Sequence, residues 1–403
     1  MATMTKATKT FPVFDADSHV VEQAAIWKDY LEPEYRVLAR SCFWHEDAEI
    51  APITILNGKP VGELNSPNLP RYAIWRPGMT PQDVGRLDPR QRHPMGPGAT
   101  DAAARLRDMD AMGVDQALLF PTLFAEYFPV VENPDVAAAL ARAYNNWVLD
   151  FCNAAPDRLF PVAVLPLQDV NFAVREAKRT AGLGFRAAMF RPLFNNNRYP
   201  AQAYYWPLWK EMESLGMTVC AHSSTGPAAA EMDANAPFIE RVTLNLNLGH
   251  PVGEFVAPAM DNATFLVTIM ADGLMEKYPR LRMLFAHSGI GWLLVALEKT
   301  ETYLWLSHQE VPVSLEPEHI FFARQNMVTF PARDGSVRRM SGVLEKVGAW
   351  GSRYPAHDTS TAWDAIRDLQ TGSVAGATIE RLMGGNAARV LGVKPLLHVK
   401  SEA

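Results

Sequence analysis

Cysteine is scarce in this chain: three residues in 403, Cys42, Cys152 and Cys220, set far apart. They form no zinc knuckle and no C-x-x-C pair, and an odd, sparse set reads as the reduced thiols of a cytoplasmic protein. Long apolar runs are also missing. No window reaches the roughly 18 uninterrupted apolar residues of a membrane span, and the first ten residues have no signal-peptide apolar core. Positive charge is not in excess: 38 Lys and Arg against 44 Asp and Glu give a net charge of −6, which argues against nucleic acid or an acidic membrane as partner. No G-x-G-x-x-G or G-x-x-x-x-G-K-S/T follows an apolar run, and no G-x-S-x-G elbow exists. A hydrophobic share of 48% and this length remain, enough for one large α/β barrel or two ordinary domains.

The most informative stretch is FPVFDADSHVVE, Phe11 to Glu22. Its apolar start and ionisable end are what a buried parallel strand shows when it delivers side chains to a site. Asp17 and His19 are two residues apart and leave one face of a strand, so a carboxylate and an imidazole can share a divalent cation. The alternative is a solvated strand end with a capping aspartate.

Met1 to Thr10 reads as a mobile polar tail, residues 11–395 as one barrel domain, and 396–403 as a second tail. After the first strand, Ala24 to Leu38 is helical with a break at Pro33. From Ser41 to Thr100 the pattern lapses. This insertion holds nine of the 30 prolines with Phe43, Trp44, Tyr72 and Trp75 among them, and reads as a packed lid over the site. Then a rhythm of strands and helices sets in. Strands are expected at Val114–Phe120, Leu159–Leu165, Phe185–Phe190, Met217–Ala221, Leu281–Ala286, Asn326–Phe330 and Val347–Ser352, with helices between them. Eight strands alternating with helices imply a parallel sheet closed as a (β/α)8 TIM barrel; a doubly wound open sheet is the alternative, disfavoured by the lack of a glycine-rich phosphate loop.

In such a barrel, residues at strand carboxyl ends converge whatever their separation in sequence. His19, His222 and His287 each follow an apolar run, and His357 lies just past the last strand. With Asp17 they suggest a mononuclear metal site that activates water and polarises a carbonyl. Ser223, Ser224 and Ser288 sit close behind histidines and read as hydrogen-bonding support. Arg191, after the fourth strand, can fix a carboxylate or phosphate, or pair with a buried acid.

Four motifs carry a resemblance to the amidohydrolase superfamily, in its amidohydrolase-related branch: DADSHVVE (Asp15 to Glu22), LPLQD with GFRAAMFRP downstream, MEKYPRLRMLFAHSGIGWLL (Met275 to Leu294) and GGNAARVLGV (Gly384 to Val393). The resemblance implies a distorted barrel with one divalent transition metal, iron or zinc and also manganese, and often a homodimer. It places Asp17, His19 and His222 as metal ligands, and His287 as a further ligand or as the group handling the reacting water's proton. It also exposes a departure. The eighth strand of the family usually ends Ser-Asp-Tyr-Pro-His, its aspartate binding the metal and serving as base, whereas this chain reads Ser352-Arg353-Tyr354-Pro355-Ala356-His357-Asp358. Arginine neither ligates a metal nor accepts a proton near neutral pH. Either His357 or Asp358 takes over as ligand or base after a local shift, or the barrel is a non-catalytic relic in which Arg353 binds an anion. Arg191, Arg353 and Tyr354 are the substrate-binding candidates.

Two reactions are implied by the resemblance, hydrolysis at a carbonyl and non-oxidative decarboxylation of an aromatic acid. The missing aspartate and the long aromatic insertion favour hydrolysis, and the superfamily's iron-dependent acyl-CoA thioesterases suggest a coenzyme A thioester of a bulky apolar acid as substrate.

Overall fold

A computed structural model describes residues 9–46, 53–61, 74–88, 93–223, 250–306, 313 and 316–398. Both expected tails lie largely outside this set, as do Ser224, Tyr72 and parts of the insertion.

Eight parallel strands follow one another in spatial order: β1 (Phe14–His19), β2 (Gln116–Phe120), β3 (Leu159–Val164), β4 (Ala187–Phe190), β5 (Thr218–His222), β6 (Arg282–Ala286), β7 (Asn326–Phe330) and β8 (Gly348–Trp350). Their residues are buried on both faces almost throughout, because helices cover the outside and side chains fill the inside. This is the (β/α)8 barrel. The helices follow from local chemistry. Pro134–Cys152 starts where the Asn133 side chain accepts the Asp135 and Val136 N–H groups, and Val170–Gly182 where Asp169 does the same for Asn171 and Phe172. The first strand begins at Phe14, three residues later than its apolar run, and takes in the whole ionisable motif; its pairing with β2 shifts between Asp15 and Ser18.

β8 and β1 form no regular ladder. Closure is made instead by the turn after β8: Arg353 N–H donates to the Asp17 carbonyl at 2.8 Å, and His19 N–H to the Tyr354 carbonyl at 2.7 Å. Gly351 permits the approach, since a Cβ there would sit 2.5 Å from the Asp17 Cβ. Asp15, buried beneath, accepts the Ser352 N–H at 2.8 Å and the Asp17 N–H at 3.2 Å, and its other oxygen takes the Ser352 hydroxyl.

Within the insertion, the described part is more regular than its proline content suggests. Helix Arg36–Cys42 leads into a three-stranded antiparallel sheet, Phe43–Glu46, Ile53–Leu56 and Lys59–Val61. Phe43 packs against Trp27 and Phe124, and Trp75 lies edge-on to Tyr354 at 5.9 Å. Among the described residues no helix is long and apolar enough to cross a membrane.

Two predictions follow from these buried carboxylates. Asp15→Ala strands the Ser352 and Asp17 amides without an acceptor, so urea unfolding should show a loss of about 3 kcal/mol, with Asp15→Asn losing less than half of that. Glu22, buried behind β1, accepts the Thr122 and Leu123 N–H groups at 2.8 and 3.0 Å. Burial pushes its carboxyl up to about 7 despite those bonds. The unfolded chain therefore releases this proton first. The Glu22 contribution is full below the unfolded value near 4.5 and is lost as pH rises to about 7, by about 3 kcal/mol. Glu22→Gln keeps an acceptor and cannot ionise, so the stability difference between variant and parent should grow by that amount across the window and stay flat above it.

Candidate active site

The carboxyl end of β1 places Asp17 and His19 at the barrel mouth. The His19 Nδ1 lies 2.8 Å from the Pro121 carbonyl, which only accepts, so Nδ1 carries the proton and Nε2 presents a lone pair. That Nε2 is 3.3 Å from Asp17 Oδ1. His222, the last residue of β5, brings its Nε2 to the same oxygen, also at 3.3 Å. His287 follows β6 with a left-handed φ of 65°, and its backbone N–H donates to Asp17 Oδ2 at 3.1 Å and to Thr329 Oγ1 of β7 at 3.2 Å. The three imidazoles offer ring nitrogens within 4.8 Å of one another.

Burial works against the Asp17 carboxylate, but the imidazoles of His19 and His222 aimed at it prevail and hold it well below the usual range. Burial lowers His222, against the pull of Asp17. Burial and then the Arg353 charge hold His287 well below an ordinary histidine. The anionic Asp17 carboxylate thus faces the neutral rings of His222 and His287 at neutral pH. Asp17 Oδ1 and both ring nitrogens of His222 are buried without a hydrogen-bond partner. Unspent buried donors of this kind are costly alone and suit a divalent cation, so the residues present fit a metal.

Arg353 stands at the end of β8 in left-handed backbone, φ 58°. One terminal nitrogen donates to His287 Nε2 at 2.9 Å, and the other pairs with Asp358 at 2.6 Å. A guanidinium only donates, so Nε2 of His287 accepts and the neutral ring carries its proton on Nδ1. His287 in this arrangement offers an N–H to the site. Asp17, His19 and His222 are left with lone pairs.

The other expected residues fall elsewhere. Asp358 is on the solvent side of Arg353, not among the rings, and His357 is half-buried beside it. The Tyr354 hydroxyl donates to Asp108 and its ring lies 4.2 Å from the Arg105 guanidinium, which ties it to the helix Ala102–Met112. Arg191 is buried and donates to the Glu126 carbonyl at 3.0 Å. Ser223 donates to the Ala286 carbonyl, and Ser288 accepts from Asn262 and Trp292.

Sequence reading missed Arg105. It is fully buried and reaches from the Gly98 carbonyl to Ser18 Oγ and the His19 carbonyl, clamping the end of β1. Thr329, one residue from the end of β7, was findable from the same strand-end rule as the histidines.

Comparison with known proteins bears on both family and reaction. The amidohydrolase family profile matches residues 15–393. Gamma-resorcylate decarboxylase of Rhizobium radiobacter is 29% identical over 195 residues, 46% of this chain and 55% of its own, so the match spans about half of that relative. An amidohydrolase from Mycobacterium avium subsp. paratuberculosis K-10 superposes with a TM-score of 0.76 at 14% identity, covering 96% of this chain and 99% of that one. A dihydroxybenzoic acid decarboxylase from Polaromonas sp. JS666, with bound manganese and the inhibitor 2-nitroresorcinol, superposes at 0.62 and 17% identity over 95% and 97%. These relatives overturn the thioesterase expectation, and none of them is named for coenzyme A. That expectation took the insertion's aromatics as the mark of a bulky apolar substrate. Phe43, Trp44 and Trp75 are instead 2%, 5% and 2% exposed, used up in packing the insertion. By its barrel, its strand-end histidines and a profile match that runs nearly end to end, the chain belongs to the amidohydrolase family.

Proposed function

We propose that this protein is a metal-dependent, non-oxidative decarboxylase of a small aromatic carboxylic acid. The observation that carries the reading is the convergence of Asp17, His19 and His222 on one point of the barrel mouth, their lone pairs unspent, with the His287 N–H beside them. The decarboxylase relatives point the same way.

Asp17, His19 and His222 would hold one divalent cation, with manganese, the ion of the Polaromonas structure, preferred over the iron or zinc expected from sequence. When bound it supplies a Lewis-acid anchor for the substrate's oxygens. The Pro121 carbonyl fixes the His19 ring for this, and the His287 and Thr329 contacts orient the Asp17 carboxylate. In the reaction the bond between ring and carboxylate breaks, carbon dioxide leaves, and the electron pair kept by the ring carbon takes a proton. His287 is the group positioned to move it. Released from Arg353, its Nε2 takes a proton from solvent or a phenolic hydroxyl and hands it to the carbon.

A second reading is kept by one observation: Arg353 occupies the place of the aspartate that such decarboxylases rely on, as a binding protein that lost its chemistry would allow.

Incubating manganese-loaded protein with carboxyl-labelled hydroxybenzoic acids should release labelled carbon dioxide from at least one; acids bound but never decarboxylated would leave only the binding protein. His222→Ala should cut bound manganese, measured by elemental analysis, well below one per chain and reduce turnover at least about 100-fold. Arg353→Asp replaces a repelling cation by a carboxylate ligand, so competition with a chelator should show manganese held at least about tenfold more tightly. Weaker binding there would contradict the ligand set.

A further inference from the structure

We infer that Arg353 is a specificity-determining residue and that the substrate carries a second anionic group which it binds; the inference rests on the decarboxylase reading of this site. Relative to an aspartate at the same place, arginine makes the mouth two formal charges more positive. Asp358 offsets one of these, and only at the rim, where its side chain is 37% exposed against 24% for Arg353. The cation site has its own claim on the carboxylate that is to be lost. Arg353 then remains as a fixed positive charge facing the same space, beside His287.

The guanidinium has donors to give. One terminal nitrogen is engaged by His287 and the other by Asp358, while Nε is buried with no hydrogen-bond partner. A planar carboxylate meets the edge formed by Nε and a terminal nitrogen with two parallel hydrogen bonds, which satisfies the buried N–H and uses the fork that lysine lacks. Backbone geometry holds this edge in place. The left-handed residue is pinned on both sides, by its own N–H on the Asp17 carbonyl and by the Thr359 hydroxyl on its carbonyl at 3.1 Å.

The test is calorimetric binding of phthalate, isophthalate, terephthalate and benzoate to the manganese-loaded protein. At least one dicarboxylate should bind about tenfold or more tightly than benzoate. Arg353→Asn, a residue that tolerates left-handed backbone, should bring that ratio close to one with manganese content unchanged. Asp358→Asn removes the competing rim carboxylate and should tighten the preferred dicarboxylate, which keeps the inference open to refutation if the Arg353 variant does not fold. Equal binding of all four acids by the parent, a preference that survives Arg353→Asn, or weaker dicarboxylate binding in Asp358→Asn would each overturn it. A dicarboxylate preference in a protein that decarboxylates no acid refutes the reaction and leaves the recognition standing. Carbon dioxide released from monocarboxylates with no binding preference does the reverse.

Discussion

Asp17 joins its own strand to four others of the barrel. Its carbonyl accepts the Arg353 N–H beyond β8, one carboxylate oxygen accepts the His287 N–H beyond β6 and faces Thr329 of β7, and the other oxygen lies between the imidazoles of β1 and β5. Barrel closure and construction of the site are therefore one event. The carboxyl in this position stays well below the usual carboxylate range in spite of its burial, and that fixed charge is what makes the same cluster attractive to a cation. Asp15 supports it from below by anchoring Ser352, so the two acids of the DADSH motif divide the work. One seals the sheet and the other faces the mouth.

The parts of this arrangement legible in the sequence share a cause. Strands buried on both faces must be written as apolar runs, and polar residues at their carboxyl ends stand out against that background. VCAH and LFAH thus announced His222 and His287 without any knowledge of their contacts. The small sheet in the insertion was less legible because its strands are short and its dense prolines drew attention. Its signal was nevertheless present: Asn57-Gly58, with φ of 48° and 78°, is the two-residue turn that joins antiparallel strands. The role of Arg105 could not be read at all. An arginine on a helix normally reaches solvent, and only tertiary packing shows that this one turns inward to the end of β1.

The eighth strand shows where local text and chemistry part company. Sequence alone offered His357 or Asp358 as substitutes for the missing aspartate, since both follow closely. Geometry gives Asp358 a different partner. At 2.6 Å from Arg353 it serves to hold the arginine, and the arginine in turn holds His287. A chain of three residues from rim to interior now occupies the place where one side chain stands in the family pattern.

This exchange changes what the site asks of a ligand. With a carboxylate at 353 the protein itself would complete the cation's anionic shell, and the substrate would need to supply little charge. With a guanidinium there, the protein contributes one carboxylate, neutral rings and a second positive centre. On the proposed reading, anionic groups then come from the molecule that binds. On the same reading, recognition and catalysis are coupled through His287, because the arginine proposed to bind an incoming carboxylate is the one that donates to the histidine's Nε2.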